Sequence, residues 1–259
     1  MLVLAVGIVS AQQPEGPPQR PADASAQGRG GAQPRPPVDP SAQKPDGPQP
    51  VVVDPGAPGK PPSDAVVLFD GRDNSGWSTR DGKPSKCTVA DGVMSCRTGA
   101  GTIQSTEKFR SAQIHLEFNI PSMPDQKGQL RGNSGVLLQG RYEVQILDSY
   151  QNPTYADGSS GALYGQSAPQ VNASRRPGEW QTYDIVFHSP RCAPDGSVQT
   201  PGSLTLLYNA VLVQDHVPVV SKRGCVDEGP LVLQDHSGFK GAPDTTMKFR
   251  NIWMRRLAQ

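Results

Sequence analysis

All fifteen aromatic residues of this 259-residue chain lie after position 64. Because aromatic side chains bury the largest apolar areas, only the chain from residue 65 onward can build a sizeable core. Residues 12–64 contain fifteen prolines and seven glycines among 53 positions, so they bury too little apolar surface to offset the conformational entropy lost on folding. We therefore predict a disordered, Pro/Gly-rich linker over 12–64 and one domain over 65–259.

The first residues have the pattern of an export signal. Residues 2–9 form an apolar run, and Val9-Ser10-Ala11 has the small residues of a signal-peptidase site. The pattern predicts a signal peptide over 1–11, and the run is too short to span a bilayer. The usual basic residues before the run are absent, which leaves a start further upstream open. A periplasmic or secreted protein without a membrane span is expected.

The four cysteines support an oxidising compartment. Asp91-Gly92 is a strong two-residue hairpin turn, and counting outward from it places Cys87 opposite Cys96 in a close, non-hydrogen-bonded pair that suits a disulfide. Cys192 and Cys225 would then form a second bridge. Reduced thiols or a zinc site are the alternatives, but the chain has no CxxC spacing for zinc.

After residue 64 the chain reads as short strands separated by Gly, Pro and Asp-rich turns. The clearest strand runs from Gln113 to Ile120, where apolar and polar residues alternate, and a second runs from Trp180 to His188. Further candidates are Val66–Phe69, Gly135–Gln139, Ser203–Tyr208, Val211–Asp215, Leu231–Asp235 and Met247–Arg256, with a hairpin turn at Asn209-Ala210. Roughly ten strands predict an all-β fold, a two-sheet antiparallel jelly-roll sandwich.

Residues 142–148, Tyr-Glu-Val-Gln-Ile-Leu-Asp, place polar side chains on a stretch that otherwise has the pattern of a buried strand. At period two, Val144 and Ile146 face a core, while Glu143 and Gln145 face away. Asp148 falls on the wrong parity, and a β-bulge would return it to their side.

A groove on one sheet could gather these and other polar groups. The candidates on four strands are His115, Glu117, Glu143, Gln145, Asp184, His188, Gln234 and His236. The alternative is an ordinary solvated sheet face. The formal net charge of +1 provides no field for nucleic acid.

The order of several short motifs resembles the 3-keto-disaccharide hydrolase domain family over residues 65–257. The motifs are Leu68-Phe69-Asp70-Gly71 with Gly76-Trp77, Asn133-Ser134-Gly135-Val136, residues 142–148, residues 162–166 (Ala-Leu-Tyr-Gly-Gln), Gly178-Glu179-Trp180, Leu233-Gln234-Asp235-His236 and Phe249-Arg250-Asn251-Ile252. The resemblance implies a concanavalin A-like sandwich that bacteria export, and a carbohydrate as partner. It further implies hydrolysis of glycosides whose C3 hydroxyl has been oxidised to a ketone. The chain departs from the family pattern by insertions at 121–131 and 237–246, which leave the substrate open.

A ketone at C3 acidifies the C2 proton, so a base can remove that proton and the resulting enolate can expel the group at C1, before water adds. We take Glu143 as the base, with His236 and Gln145 near the developing oxyanion. Asp148 would orient a neighbour or assist the leaving group. The residues that would hold sugar hydroxyls are Asn133, Gln166, Gln234 and Arg250. No cofactor is expected, although a divalent cation on Glu143, Asp148 and His236 is an alternative.

Two other functions remain open at this point. A conventional retaining glycosidase would use Glu143 and Asp148, but it needs carboxyl groups roughly 5 to 5.5 Å apart. A non-catalytic carbohydrate-binding module would need an aromatic platform, for which Trp77, Trp180 and Trp253 are candidates, although each fits a core position as well.

Overall fold

The computed structural model of the protein describes residues 47–221, 223–238 and 241–258. The chain divides into two compact units, 1–51 and 52–259. In the first unit, residues 47–51 are described, and they are exposed and form neither helix nor strand. The predicted signal peptide over 1–11 and the predicted linker up to residue 46 lie outside the described residues.

The second unit is built from strands, numbered β1 to β15 along the chain, in two main antiparallel sheets and one small ribbon. The larger sheet has the order β13 (Val211–Val219), β12 (Gly202–Tyr208), β9 (Trp180–His188), β6 (Ala112–Asn119), β15 (Thr246–Arg256), β4 (Val93–Arg97) and β3 (Thr88–Ala90), with β1 (Val66–Phe69) also paired to β15. The smaller sheet has the order β2 (Trp77–Thr79), β5 (Ile103–Phe109), β14 (Gly229–Leu233), β7 (Ser134–Leu138) and β8 (Tyr142–Ile146). The ribbon pairs β10 (Arg191–Cys192) with β11 (Val198–Thr200).

The two main sheets enclose one hydrophobic core. Phe187 of the larger sheet contacts Tyr142 and Phe109 of the smaller sheet, with ring centroids 5.6 Å and 6.2 Å apart. Burying each ring contributes about 1.5–3 kcal/mol relative to leaving it exposed. The observed architecture is therefore the predicted all-β, two-sheet antiparallel sandwich.

The longer predicted strands are confirmed, since Trp180–His188 and Val66–Phe69 match to the residue and the others overlap the observed strands. The described residues contain fifteen strands rather than ten. The additional ones are mostly two or three residues long, too short for an alternating pattern to be read. The strand predicted over 142–148 ends at Ile146.

Two hairpin turns follow the prediction. Asp91 and Gly92 have φ angles of 52° and 76°, and Asn209 and Ala210 have φ angles of 51° and 65°. Positive φ at both central residues is the mark of the type I′ turn, whose twist matches that of paired strands.

Both predicted disulfides are present. Cys87 and Cys96, on either side of the first turn, have Cα atoms 4.4 Å apart. Cys192 of β10 bonds to Cys225, with Cα atoms 5.4 Å apart. The zinc alternative therefore does not hold, because all four thiols are used in bridges.

The last residues of the predicted linker are attached to β15. Asn251 donates to the carbonyl of Gly59 at 2.7 Å, and Arg255 forms an ion pair with Asp64 at 2.6 Å. Gly59 and Asp64 are therefore attached to β15 and do not belong to a free linker. The division into domains stays a prediction. Among the described residues, none belongs to a helix with the length and apolar character needed to cross a membrane.

Candidate active site

Glu143 lies on the outer face of the smaller sheet. β8 pairs with β7 in continuous register, with Leu137 opposite Glu143. Val144 and Ile146 enter the core, so Glu143 and Gln145 point away from it as predicted. The predicted bulge is wrong, because the pairing of β7 with β8 shows no shift and β8 ends before Asp148.

This outer face is covered rather than solvated around Gln145, which is only 1 % exposed. The free edge of β8 pairs with the following loop, since Tyr164 donates to the carbonyl of Glu143 and Gln145 donates to that of Ala162, both at 2.9 Å. The Gln145 side chain lies 3.1 Å from that of Gln129. An ordinary solvated sheet face is therefore not what surrounds Glu143.

The side chain of Glu143 lies flat across β7 because the residue beneath it is a glycine. A Cβ atom on Gly135 would stand 2.5 Å from Glu143 Oε1 and 3.0 Å from its Cγ. One end of the Gln145 carboxamide lies 3.2 Å from Glu143 Oε1 and 2.9 Å from the carbonyl oxygen of Ser134, so that end is the NH₂ group. Gln234, whose backbone pairs with Gly135, also donates to the Glu143 carboxylate.

Burial raises the pKa of Glu143 to about 7. The hydrogen bond from Gln234 and the charge of Arg223 act in the opposite direction but do not cancel the cost of desolvation. A carboxyl group that titrates near neutral pH is suited to general base or general acid catalysis.

Gln234 connects Glu143 to a second group of polar residues just beyond β14. Gln234, Asn133 and His236 line a small cavity of about 30 Å³, whereas Glu143 is not part of its lining. His236 is half-buried, and this burial lowers its pKa while the neighbouring Asp235 opposes the shift. The imidazole is therefore neutral at pH 7 and can donate a hydrogen bond without carrying charge.

Asp148 does not join Glu143. Its carboxylate forms an ion pair with Arg131, with Oδ2 2.8 Å from Nε, and the Asp148 side chain is 2 % exposed. The backbone of Asp148 also donates to the carbonyl of Arg131 at 3.1 Å. β8 has ended by this point, and Arg131 holds the Asp148 carboxylate in place. The catalytic role of Asp148 stays a prediction.

Arg250 lies on the opposite outer face of the sandwich, because β15 belongs to the larger sheet. Its guanidinium pairs with Glu117 at 2.7 Å and stacks 4.0 Å from the Trp180 ring. The groove predicted across four strands is thus divided between two faces, and these residues fall on the larger sheet: His115, Glu117, Asp184 and His188.

The other predicted residues, Gln166 and the tryptophans, each contact partners of their own. Gln166 is exposed and accepts from the backbone amide of Val220 at 2.9 Å. Trp77 is buried in the core and donates to the Leu68 carbonyl at 2.9 Å, while Trp253 stacks on His115 with centroids 5.2 Å apart. No tryptophan therefore serves as a platform beside Glu143.

A tyrosine pair beside Glu143 was missed by the sequence reasoning. Tyr155 and Tyr164 are 49 % and 37 % exposed, and their hydroxyl oxygens are 2.6 Å apart. Burial raises the pKa of Tyr155, the hydrogen bond to Tyr164 adds to this, and the charge of Glu143 contributes as well. The sequence has no pattern that pairs the two tyrosines; only the structure shows that Gly158 makes room for the Tyr155 ring, since a Cβ atom there would fall 1.9 Å from it.

The donors considered for a divalent cation do not form a ligand set. Within the described residues, no three His, Cys, Asp or Glu side chains are grouped so as to hold a metal ion. Asp148 is engaged by Arg131, so we take the chemistry of the site from its carboxylate, amide, imidazole and phenol groups.

Comparison with known proteins places this arrangement in context. Residues 64–255 match the model of a family described as the 3-keto-α-glucoside-1,2-lyase-like domain. The crystal structure of a candidate glycosyl hydrolase from Parabacteroides distasonis is 40 % identical with a TM-score of 0.77, covering 85 % of this chain and 97 % of that one. None of the curated proteins compared with the chain matches it.

Two further candidate glycosyl hydrolases from the same organism share the fold. They are 20 % and 19 % identical, with TM-scores of 0.56 and 0.52, and the matches cover 75 % and 74 % of this chain and 94 % and 99 % of theirs. The family match spans most of the sequence and includes every residue placed around Glu143. The chain belongs to the family of 3-keto-α-glucoside-1,2-lyase-like domains, the 3-keto-disaccharide hydrolase family that its motifs resemble, and this family is one of carbohydrate-active, glycosyl hydrolase-like proteins.

Proposed function

We propose that the domain cleaves glycosides whose C3 hydroxyl has been oxidised to a ketone, with Glu143 as the general base. The observation that carries the proposal is the half-buried Glu143 carboxyl, whose pKa of about 7 makes its carboxylate a stronger base than an ordinary one while a large fraction is still ionised at neutral pH. The family description, which names elimination between C1 and C2 of a 3-keto-α-glucoside, is consistent with this chemistry.

The reaction begins when the Glu143 carboxylate takes the C2 proton. The electron pair of the C2–H bond delocalises onto the C3 oxygen as an enolate. When the enolate collapses, a C1=C2 double bond forms, the C3 ketone is restored and the C1–O bond breaks, so the leaving oxygen departs and takes up a proton. Water then adds at C1 and a proton returns to C2, which completes a net hydrolysis.

The neighbouring residues have distinct roles in this scheme. Gln145 and Gln234 contact the Glu143 carboxylate and position it. His236, neutral at pH 7, donates to the oxygen that becomes the enolate. Asn133 donates to the Gln129 side chain at 3.0 Å, which holds the amide group next to Gln145 in place. We assign Gln166, whose side chain is exposed, to a hydroxyl of the sugar.

Tyr155 and Tyr164 provide the stacking surface for a sugar ring. Exposed aromatic rings beside a polar group bind the apolar face of a sugar while their hydroxyls stay hydrated. The same pair favours the second candidate function, a carbohydrate-binding module, because stacking alone requires no base.

A conventional retaining glycosidase has little support. Its second carboxyl would be Asp148, whose charge is neutralised by Arg131 in a buried ion pair. We also propose that the protein acts outside the cytoplasm, as a periplasmic or secreted enzyme. The two disulfides support this, since such bonds persist in oxidising compartments.

The test compares para-nitrophenyl α-glucoside with the same compound oxidised at C3, with the spontaneous rate subtracted. We expect release of nitrophenol from the oxidised compound alone, and loss of that release in Glu143→Gln. Glu179→Gln, an exposed carboxyl outside the site, is the matched control and should retain wild-type turnover. Release from the unoxidised glucoside would favour the retaining glycosidase, and binding without release would favour the carbohydrate-binding module.

A further inference from the structure

A second pocket on the outer face of the smaller sheet has an unusual charge. It has a volume of about 450 Å³, and its charged lining residues are Arg80, Lys108, Arg141, Arg223 and Glu228. Four cations against one carboxylate leave three unbalanced positive charges, whereas the whole chain has a formal charge of only +1.

The four cations have no carboxylate partner among the described residues. The ion pairs between described residues involve other arginine, lysine and histidine side chains than these four. Surface arginines commonly pair with acids, as Arg255 does with Asp64. Four cations gathered around one carboxylate repel one another, so an anion that enters the pocket gains electrostatic free energy from them.

The pocket adjoins Glu143. Arg141 lies in the turn that leads into β8, two residues before Glu143. Val232, which also lines the pocket, pairs with Leu137, the residue opposite Glu143. Arg223 is near enough for its charge to act on the Glu143 carboxyl, and Arg141 donates to the Arg223 carbonyl at 2.5 Å.

We infer that the substrate cleaved at Glu143 carries an anionic group, a carboxylate on the sugar or on the leaving group, which binds among Arg80, Lys108, Arg141 and Arg223. This inference rests on the proposed function, because it assigns a substrate class to the same site. Guanidinium groups suit the role, since they bind carboxylates through paired hydrogen bonds.

Two matched pairs of 3-keto-α-glucosides test the inference and locate the anion. The para-carboxyphenyl glucoside and its methyl ester differ in charge at the leaving group. Phenyl glucuronide and phenyl glucoside, each oxidised at C3, differ in charge on the sugar. In at least one pair, we expect the anionic member to have a kcat/KM at least about fivefold higher at an ionic strength near 0.01 M, and this preference to disappear near 1 M.

Charge-removing variants provide the control. Arg80→Gln/Lys108→Gln should reduce the ratio of kcat/KM values between the anionic and neutral members. Arg72→Gln/Lys86→Gln removes the same two charges from exposed positions outside the pocket and should leave that ratio unchanged. Equal turnover within both pairs, or equal effects of the two double variants, would overturn the inference while leaving keto-glycoside cleavage intact.

Failure of the proposed function has a different signature. If no keto-glycoside is turned over, calorimetric titration of the intact protein with the unoxidised members of both pairs still decides the inference. Tighter binding of an anionic member, lost in Arg80→Gln/Lys108→Gln, would support an anion site. Equal affinity within both pairs would refute it.

Discussion

At the scale of single residues, the account depends on what surrounds Glu143. The alternation of residues 142–146 predicted that Glu143 points away from the core, and this is confirmed. Its position against Gly135, Gln145 and Gln234 could not be predicted, and neither could its raised pKa, because the burial that raises the pKa depends on which segments pack around the side chain. Gly135 and Gln234 lie on other strand segments, and their distance from Glu143 is set by sheet order rather than by spacing.

Gly135→Ala tests whether the flat position of Glu143 matters. The new Cβ would stand 2.5 Å from Oε1 and force the carboxylate to move. We expect kcat on a 3-keto-glucoside to fall by about tenfold or more, since displacement of a catalytic group by an ångström has effects of this size. Gly76→Ala, whose Cβ meets its nearest neighbour at an ordinary 3.6 Å, should leave kcat unchanged. Equal kcat values in the two variants would refute the positional argument.

The raised pKa of Glu143 also predicts a pH-dependent stability. The folded pKa of about 7 exceeds the ordinary value of 4.5, so between these pH values the folded state holds a proton that the unfolded state has lost. Stability therefore falls as pH rises through this window and then levels off.

Glu143→Gln removes this effect. We compare the free energy of unfolding of the variant with that of the wild type at each pH. The difference, variant minus wild type, should be larger at pH 8 than at pH 4 by on the order of 2–3 kcal/mol. Urea unfolding at both pH values measures the difference. A stability gap that does not change with pH would mean that the folded pKa is not raised.

At the scale of elements, strands were predictable where alternation extends over many residues, as in Trp180–His188. Short strands such as Trp77–Thr79 were not. The prediction of a single groove was wrong, because a period of two tells which residues share a face of one strand but not which sheet the strand joins. His115 and Arg250 therefore lie on the larger sheet, and Glu143 lies on the smaller one.

The buried Arg131–Asp148 pair joins the segment before β7 to the segment after β8, at the open end of this hairpin. Asp148→Asn leaves Arg131 with an uncompensated charge at a site where the Asp148 side chain is 2 % exposed. We expect a loss of about 3–5 kcal/mol in unfolding free energy.

The kinetic readout separates a structural role from a catalytic one. Turnover per folded molecule in Asp148→Asn should stay close to that of the wild type. Wild-type stability of the variant combined with loss of kcat would instead show that Asp148 takes part in catalysis.

At the scale of the whole molecule, the aromatic residues after position 64 predicted where the hydrophobic core is built, and the core residues of the described part of the chain do lie there. The basic pocket could not be read in the same way. Arg80, Lys108, Arg141 and Arg223 are far apart in sequence and come together only through the order of the strands. A sandwich with a near-neutral total charge can therefore carry a cationic pocket that its composition does not reveal.

The pH dependence of kcat/KM on para-nitrophenyl 3-keto-α-glucoside reports on the base alone, since the nitrophenolate leaves without help from an acid. If Glu143 is the base, kcat/KM should rise with pH to a plateau, with an apparent pKa of about 7 that is absent in Glu143→Gln. A profile that is flat or falls from pH 5.5 to 8.5, or that keeps its rise in Glu143→Gln, would contradict the account.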